Sequence, residues 1–368
     1  NTTASNNTAV GFYSMISNTT GTFNTASGAY SLDANTTGGC NSGFGFNALG
    51  GNTEGDLNTS MGSNSMRCNT TGDNNVGLGA CALFNNTTAS NNTAMGFRAL
   101  CSTQTGFDNT AIGRNALSSN TASSNTSVGA FSLNANTTGT NNSAFGVSSL
   151  LSNTTGTQNV AVGSSALDEN TTGNCNVAMG HGSLGNQTTG GNNTAVGRGS
   201  LNNNTTASNN TAVGYNSLFA NTTGDQNVAV GRNTLDANTT GTQNNALGQS
   251  ALGSNTSGNC NTAMGQGSLF ANTIGNGNSA IGFNSLYSNT SADFNVAVGR
   301  QAMYTNSTGE RNVAMGLNAM YSNTTGGCNT ALGGNALYSN TTAGNNTAVG
   351  FESLCANTTG ARNTAIGY

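Results

Sequence analysis

The sequence predicts an all-β protein, a rod-like parallel β-solenoid of about 22 coils with seventeen residues in each coil. Three observations predict this fold: a glycine returns at every seventeenth position, an asparagine stands at a fixed distance from it, and a leucine or methionine stands at another. Self-similarity at a fixed period indicates a repeat architecture and overrides the domain count that length alone suggests. Residues 1–368 are therefore predicted to be one continuous repeat region.

The repeat glycines set the length of each coil. They run from Gly11 to Gly367, and all of their intervals are seventeen positions long except one, which is sixteen. The short interval falls in the turn at 120–124, so the strands on either side are expected to keep their register. Positions in each coil are numbered below from its repeat glycine, which is position 0.

Asparagines mark two further positions of the coil. Position −4 is Asn in all 22 copies, and position +7 is Asn in most, with Thr103 and Gln187 among the exceptions. Identical amides at the same place in stacked coils can bond to the amide above and below. The sequence thus predicts two asparagine ladders.

The large apolar residues occupy positions −1 and +4, and both rows are predicted to form the core. Position −1 is Val, Met, Ile, Leu or Phe except at Ser27, position +4 is Leu or Met, and small residues fill positions −2 and +3. The segments between turns hold four or five residues, which fits two short strands and two turns per coil. The glycine that follows Asn-Thr-Thr is expected to need a positive φ. A disordered low-complexity tract is the alternative, but disorder gives no reason to keep one phase of Leu or Met.

A core with two large side chains per coil is thin, and a second surface is expected to cover it. Three-fold association would do so, which favours a homotrimer; a single-chain solenoid with a flat face of small residues fits the same pattern.

Composition excludes several classes of function. The net charge is −4, only 5% of residues are charged, and there is no Lys, so a nucleic-acid partner is not expected. No apolar run is long enough for a membrane span. The single His181 has no second ligand at metal spacing, so neither a metal, a cofactor nor an enzymatic activity is expected. The cysteines that share one phase lie too many coils apart for a disulfide within the chain, so free thiols or contacts between chains are expected: Cys40, Cys175, Cys260 and Cys328.

Three segments carry a resemblance to known families. Asn193-Thr-Ala-Val-Gly197 and Asn227-Val-Ala-Val-Gly231 resemble the repeats of trimeric autotransporter adhesin heads, and the longer unit at 329–342 is similar to repeats of phage and bacterial tail-fibre-like proteins. The resemblance implies a left-handed parallel β-roll in an extracellular, trimeric attachment fibre. No coil looks like a cap, so the chain is expected to be an excerpt of a longer fibre.

Two rows of aromatic residues are candidate glycan-binding sites. Sugar rings stack on exposed aromatic faces, whereas a purely structural row would stiffen the stack of coils. The clearest row stands at position +5 of five consecutive coils: Phe270, Tyr287, Tyr304, Tyr321 and Tyr338. A weaker row at position +1 mixes Phe and Tyr with four arginines: Arg114, Arg198, Arg232 and Arg300.

Many turn asparagines stand in N-x-(S/T) sequons, which either are simple turn chemistry or carry N-linked sugars in a glycosylating host. The candidate glycosylation sites include Asn1, Asn18, Asn35, Asn136, Asn221, Asn323 and Asn357.

The predicted function is a non-enzymatic structural fibre or adhesin shaft, extracellular, that presents a repetitive surface to cell-surface glycans or to other copies of itself. Three alternatives stay open. The first is a glycan-coated extracellular filament scaffold. The second is an ice-binding solenoid, with Thr or Ser at position +8 and Gln104 as the exception. The third is a tailspike-type polysaccharide depolymerase, for which only Asp168-Glu169 and Glu54-x-Asp56 provide close carboxylates.

Overall fold

The computed structural model describes residues 3–368 and confirms the predicted fold class, an all-β parallel β-solenoid with about seventeen residues in each turn. The chain forms two compact units, of which the first ends at Thr189 and the second begins at Gly190. Each repeat contributes one strand of three residues, and each strand pairs in parallel with the next strand of its unit. The described residues include no helix that is long and apolar enough to cross a membrane.

The eleven strands of the first unit are β1 (Thr8–Val10), β2 (Thr25–Ser27), β3 (Ser42–Phe44), β4 (Thr59–Met61), β5 (Val76–Leu78), β6 (Thr93–Met95), β7 (Thr110–Ile112), β8 (Thr126–Val128), β9 (Ser143–Phe145), β10 (Val160–Val162) and β11 (Val177–Met179). The eleven strands of the second unit are β12 (Thr194–Val196), β13 (Thr211–Val213), β14 (Val228–Val230), β15 (Asn245–Leu247), β16 (Thr262–Met264), β17 (Ser279–Ile281), β18 (Val296–Val298), β19 (Val313–Met315), β20 (Thr330–Leu332), β21 (Thr347–Val349) and β22 (Thr364–Ile366).

The short coil leaves the strand register intact, as the sequence predicted. Thr110 of β7 faces Thr126 of β8 and Ile112 faces Val128, although the coil between them is one residue shorter than the others. The missing residue therefore comes out of the turn, where no strand bond depends on it.

The repeat glycine ends each strand in a conformation and a space that only glycine fits. Gly62 has a φ of +133°, and a Cβ placed on it would lie 2.7 Å from the carbonyl carbon of Gly79 in the next coil. L-residues rarely adopt this backbone region, and two backbones in such close contact leave no room for a side chain.

The prediction of a second strand after the glycine is wrong. Positions +1 to +5 form turns instead, with left-handed residues at positions +2 and +4, such as Asn47 at φ 55° and Leu49 at φ 54°. The positive φ expected at the glycine after Asn-Thr-Thr is also absent, as at Gly38, and falls two residues later, at Cys40. Asparagine tolerates the left-handed region, but the repeated leucine there is strained locally and is held by its burial.

The core prediction is correct for position +4 and wrong for position −1. The Leu and Met side chains at position +4 are fully buried almost throughout, but the strand turns its position −2 residue inward, usually a fully buried Ala such as Ala161. A Cβ on Gly77, at position −2, would lie 3.1 Å from Cε of Met66, so the position +4 side chain fills the space opposite the strand. Because strand residues alternate, positions −3 and −1 face outward. Met61 at position −1 is accordingly 53% exposed.

Both predicted asparagine ladders are confirmed. In the position −4 ladder, the backbone N–H of Asn41 donates to Oδ1 of Asn24 at 2.8 Å. In the position +7 ladder, Nδ2 of Asn52 donates to Oδ1 of Asn35 at 2.9 Å and to the carbonyl of Gly55 at 3.0 Å. These amides are fully buried, and bonding to the neighbouring coil satisfies groups whose burial would otherwise be costly.

Candidate functional site

The five aromatic side chains at position +5 form a tyrosine ladder, which consists of Phe270, Tyr287, Tyr304, Tyr321 and Tyr338. Consecutive ring centroids are 5.2 to 5.3 Å apart with interplanar angles of 7 to 15°, so each ring is stacked on the next. The side chains are half-buried. Because neighbouring rings cover one another's faces, the inner rings have no free face on which a sugar could stack. This geometry favours the structural interpretation of the row over a glycan platform.

The mixed row at position +1 is exposed and more loosely organised. Phe12 is 62% exposed, and the guanidinium of Arg114 lies 4.6 Å from the ring centroid of Phe131 at position +2 of the next coil. Arg198 and Arg232 lie 5.9 and 6.0 Å from the ring of Tyr215, which stands between them. The arginines thus pair with rings of adjacent coils through cation–π contacts.

The asparagines of the candidate sequons are not surface groups. Asn18, Asn35, Asn136, Asn221 and Asn323 are at most 1% exposed. Their Nδ2 atoms donate within the position +7 ladder, as Nδ2 of Asn323 does to Oδ1 of Asn306 at 2.7 Å and to the carbonyl of Gly326 at 2.9 Å. An N-linked sugar would take a hydrogen from this nitrogen and would need space that the folded coil does not have, so the geometry argues against N-glycosylation here.

Two further sequons differ in their surroundings. Asn357 is partly exposed, but its Nδ2 still donates to Asn340 at 3.0 Å and to the Gly360 carbonyl at 2.9 Å. Asn1 lies outside the described residues.

The threonines at positions +8 and +9 have contrasting roles. We call position +8 the inner threonine row, because its hydroxyls are committed within the chain: Oγ1 of Thr36 donates to the carbonyl of Thr53 at 3.0 Å, and Thr154 does the same to Thr171. We call position +9 the exposed threonine row, which includes Thr37 and Thr155. For an ice-binding surface, the inner row therefore offers hydroxyls that are already donating.

Each unit has an outward strand face, defined as positions −3 and −1 of its strands, β1 to β11 in the first unit and β12 to β22 in the second, and this face is uncharged in every coil. Position −3 is Thr, Ser or Val, with Asn245 as the exception, and position −1 is apolar apart from Ser27. Several of the apolar side chains are around half exposed, among them Val10, Met61 and Leu247. Because the strands are parallel and in register, the side chains at position −1 lie in line and form an apolar stripe. Exposed apolar stripes of this kind mark interaction surfaces.

The close carboxylates do not share one environment. Asp168 is half-buried and Glu169 is exposed; burial raises the pKa of Asp168 above its ordinary value, and the neighbouring charge of Glu169 raises it further. Asp56 accepts a 2.6 Å hydrogen bond from the backbone N–H of Gly39, and Glu54 is exposed. Asp33 and Asp236 share the phase of Asp168, and burial raises the pKa of each.

All eight cysteines are free thiols, as the spacing argument predicted for Cys40, Cys175, Cys260 and Cys328. These four are exposed, and Sγ of Cys175 donates to Oε1 of Gln158 in the preceding coil at 3.2 Å. Cys101 is buried, and burial raises the pKa of its thiol. His181 is exposed.

No protein-family model matches the chain, and no curated protein matches its sequence. The structure supports the parallel β-solenoid that the resemblance implied, while the link to autotransporter heads or tail fibres rests on the repeat motif alone.

Sequence reasoning missed two surfaces, the exposed threonine row and the outward strand face. The second was missed because position −1 was assigned to the core. The first left a signal in the sequence: position +9 keeps Thr or Ser through most copies, whereas position +1 varies freely.

Proposed function

We propose that the chain is a non-enzymatic structural segment of an extracellular fibre, which associates with copies of itself through the outward strand face. The observation that carries this proposal is the absence of any charge on this face in all 22 coils, on a chain whose charged residues lie elsewhere. Exposed apolar stripes on a soluble monomer are costly and are usually covered by a partner. A second copy has the same coil spacing, so each row meets a matching row along the face.

A homotrimer is the assembly that the repeat motif favours, and three copies would cover the outward strand face of each chain. The coil-to-coil hydrogen bonds support the structural part of the proposal. Strand pairing, both asparagine ladders and the inner threonine row all connect a residue to its counterpart in the adjacent coil. A solenoid whose coils bond to their neighbours in this way lengthens by adding coils and needs no separate core.

The association is tested by placing charges on the face. Met61→Lys with Met95→Lys puts two cations on the outward strand face, while Asn74→Lys with Asn91→Lys adds the same charge at position −5, where Arg311 and Arg362 already occur. Sedimentation velocity should show an oligomer for the unchanged chain and for the Asn pair, and a monomer for the Met pair. A monomeric unchanged chain would overturn the association and leave a single-chain scaffold.

A further inference from the structure

The exposed threonine row is restrained in sequence without being used in the fold. Position +9 is Thr or Ser in every coil that reaches it except three, and the exceptions are Glu54, Ala122 and Ile274. The hydroxyls of Thr37, Thr155 and Thr325 make no hydrogen bond within the described part of the chain. Nearly all residues of the row are exposed.

The fold does not need a hydroxyl at this position. Only the backbone of position +9 bonds to the next coil, as when the N–H of Thr37 donates to the carbonyl of Thr53 at 3.1 Å. Glu54 and Ile274 make the equivalent bonds to Thr70 and Thr290 at 3.1 and 3.2 Å. A carboxylate and an aliphatic side chain therefore support the same coil as threonine does.

Another exposed position shows how widely the residue type varies when the fold does not restrain the side chain. Position +1 carries many residue types along the chain, including Phe12, Ser63, Arg114, His181 and Gln249. The inner threonine row is restrained too, but its hydroxyls bond to the next coil and the fold explains them. The restraint at position +9 requires an explanation outside the chain.

The residue types point to a hydroxyl that reacts. A surface that only hydrogen-bonds to a ligand or to water could equally use Asn, Gln, Asp, Glu or Arg, and of these only Glu54 occurs at position +9. A preference for a β-branched side chain would admit Val, which is also absent from the row although Val10 is tolerated at 62% exposure elsewhere. Thr and Ser share one property that the others lack, an alcohol oxygen that can form an ether-type bond.

We propose that the exposed threonine row is a ladder of O-glycosylation sites. In each transfer the Oγ1 oxygen of threonine bonds to the anomeric carbon of a sugar activated through an anomeric phosphate, and the bond from that carbon to the phosphate oxygen breaks. The hydroxyl proton passes to a base of the transferase, and the phosphate-bearing group leaves with the bonding electron pair. The result is a line of sugars along the turns of each unit, which hydrates a surface on a chain in which only 5% of residues carry charge.

The test is site mapping by mass spectrometry on the chain purified from its native host. Alkaline β-elimination with a thiol nucleophile replaces each O-linked sugar by a mass tag at its threonine. We expect tags at Thr155, Thr172 and Thr223 and none at the inner-row residues Thr154 and Thr171. An untagged chain, or tags spread over both rows, would overturn the proposal, as would sugars confined to asparagine.

Matched variants produced in the same host make the assignment specific. Thr155→Val with Thr172→Val should remove two sugar masses, while Thr154→Val with Thr171→Val should remove none. Because Ile274 occupies position +9 without changing the coil, the first pair should fold normally, and circular dichroism checks this. Unchanged total sugar mass in the first pair contradicts the proposal. Thermal hysteresis by an unmodified chain would assign the row to ice instead.

Discussion

The amide of each buried asparagine in the position +7 ladder has an oxygen that must accept a hydrogen bond and a nitrogen that must donate. Its nitrogen donates to the asparagine of the preceding coil, and its oxygen accepts from the asparagine of the next coil. The ladder fails where a counterpart is missing. Thr103 stands in the place of the asparagine, is fully buried, and reaches only the Gly106 carbonyl at 3.4 Å. As a result, Oδ1 of Asn86 is buried without a hydrogen-bond partner. An unsatisfied buried acceptor costs about 1–3 kcal/mol.

Thr103→Asn is therefore expected to stabilise the protein. The new Nδ2 would donate to Oδ1 of Asn86, as Asn86 itself donates to Asn69 at 2.7 Å. The gain should be about 1–2 kcal/mol, since a satisfied acceptor and one added bond replace a weak contact. Urea unfolding followed by circular dichroism measures it. Ser102→Asn, one residue away and outside the ladder, is the control, and an equal midpoint shift in both variants would refute the argument.

At the scale of the element, each coil depends on a repeat glycine that touches the repeat glycine of the next coil. Gly333 has a φ of +141°, and a Cβ on it would lie 2.6 Å from the carbonyl carbon of Gly350. Its neighbour Gly334 has no such constraint: a Cβ there would meet Cδ2 of Phe351 at 3.3 Å, and this side chain is exposed and can move.

Gly333→Ala should lower the free energy of unfolding by about 2–5 kcal/mol, because backbone strain and overpacking add. Gly334→Ala should change it by less than about 1 kcal/mol. Thermal unfolding of the two variants compares adjacent glycines in one turn. Similar losses in both would show that the close contact between successive glycines is not what restrains this position.

The sequence identified most of the coil but not the direction in which its strand faces. Period, ladders and the buried Leu or Met row follow from identity at fixed spacing, which any stack of coils must show. The predictions of a second strand and of a buried position −1 row were wrong. Both assumed that side chains alternate between two faces through the whole coil, but residues such as Leu49 break this alternation because they adopt the left-handed region. Leucine rarely does so, and nothing in its own identity signals it. The residue at position −2 is usually alanine, and its small side chain gave no sign that it is the one that the strand turns toward the core.

At the scale of the whole molecule, most charged side chains are exposed, but the three aspartates at position +5 are partly buried. Burial raises the pKa of Asp33, Asp168 and Asp236. Between the ordinary Asp pKa and the raised one, the folded state keeps a carboxyl proton that the unfolded state has released. The free energy of unfolding therefore falls as the pH rises through this interval.

These three aspartates should therefore make the free energy of unfolding larger near the ordinary Asp pKa than at neutral pH. Thermal midpoints across this interval measure the trend. Asp168→Asn with Asp236→Asn should flatten it by removing two of the three groups. An equally steep trend in the double variant would contradict the assignment.

The shortened coil has a consequence for how the gene can change. Between β7 and β8 one codon is missing, yet the backbone N–H of Asn125 still donates to Oδ1 of Asn109 at 3.0 Å and the strands stay aligned. A slip of one codon at this corner is silent for the neighbouring repeats, while the same slip within a strand would exchange its inner and outer faces. Gaining or losing a whole coil would leave the contacts among the other coils in place, because each coil bonds only to its neighbours. Copy number is thus a heritable variable that the architecture leaves open.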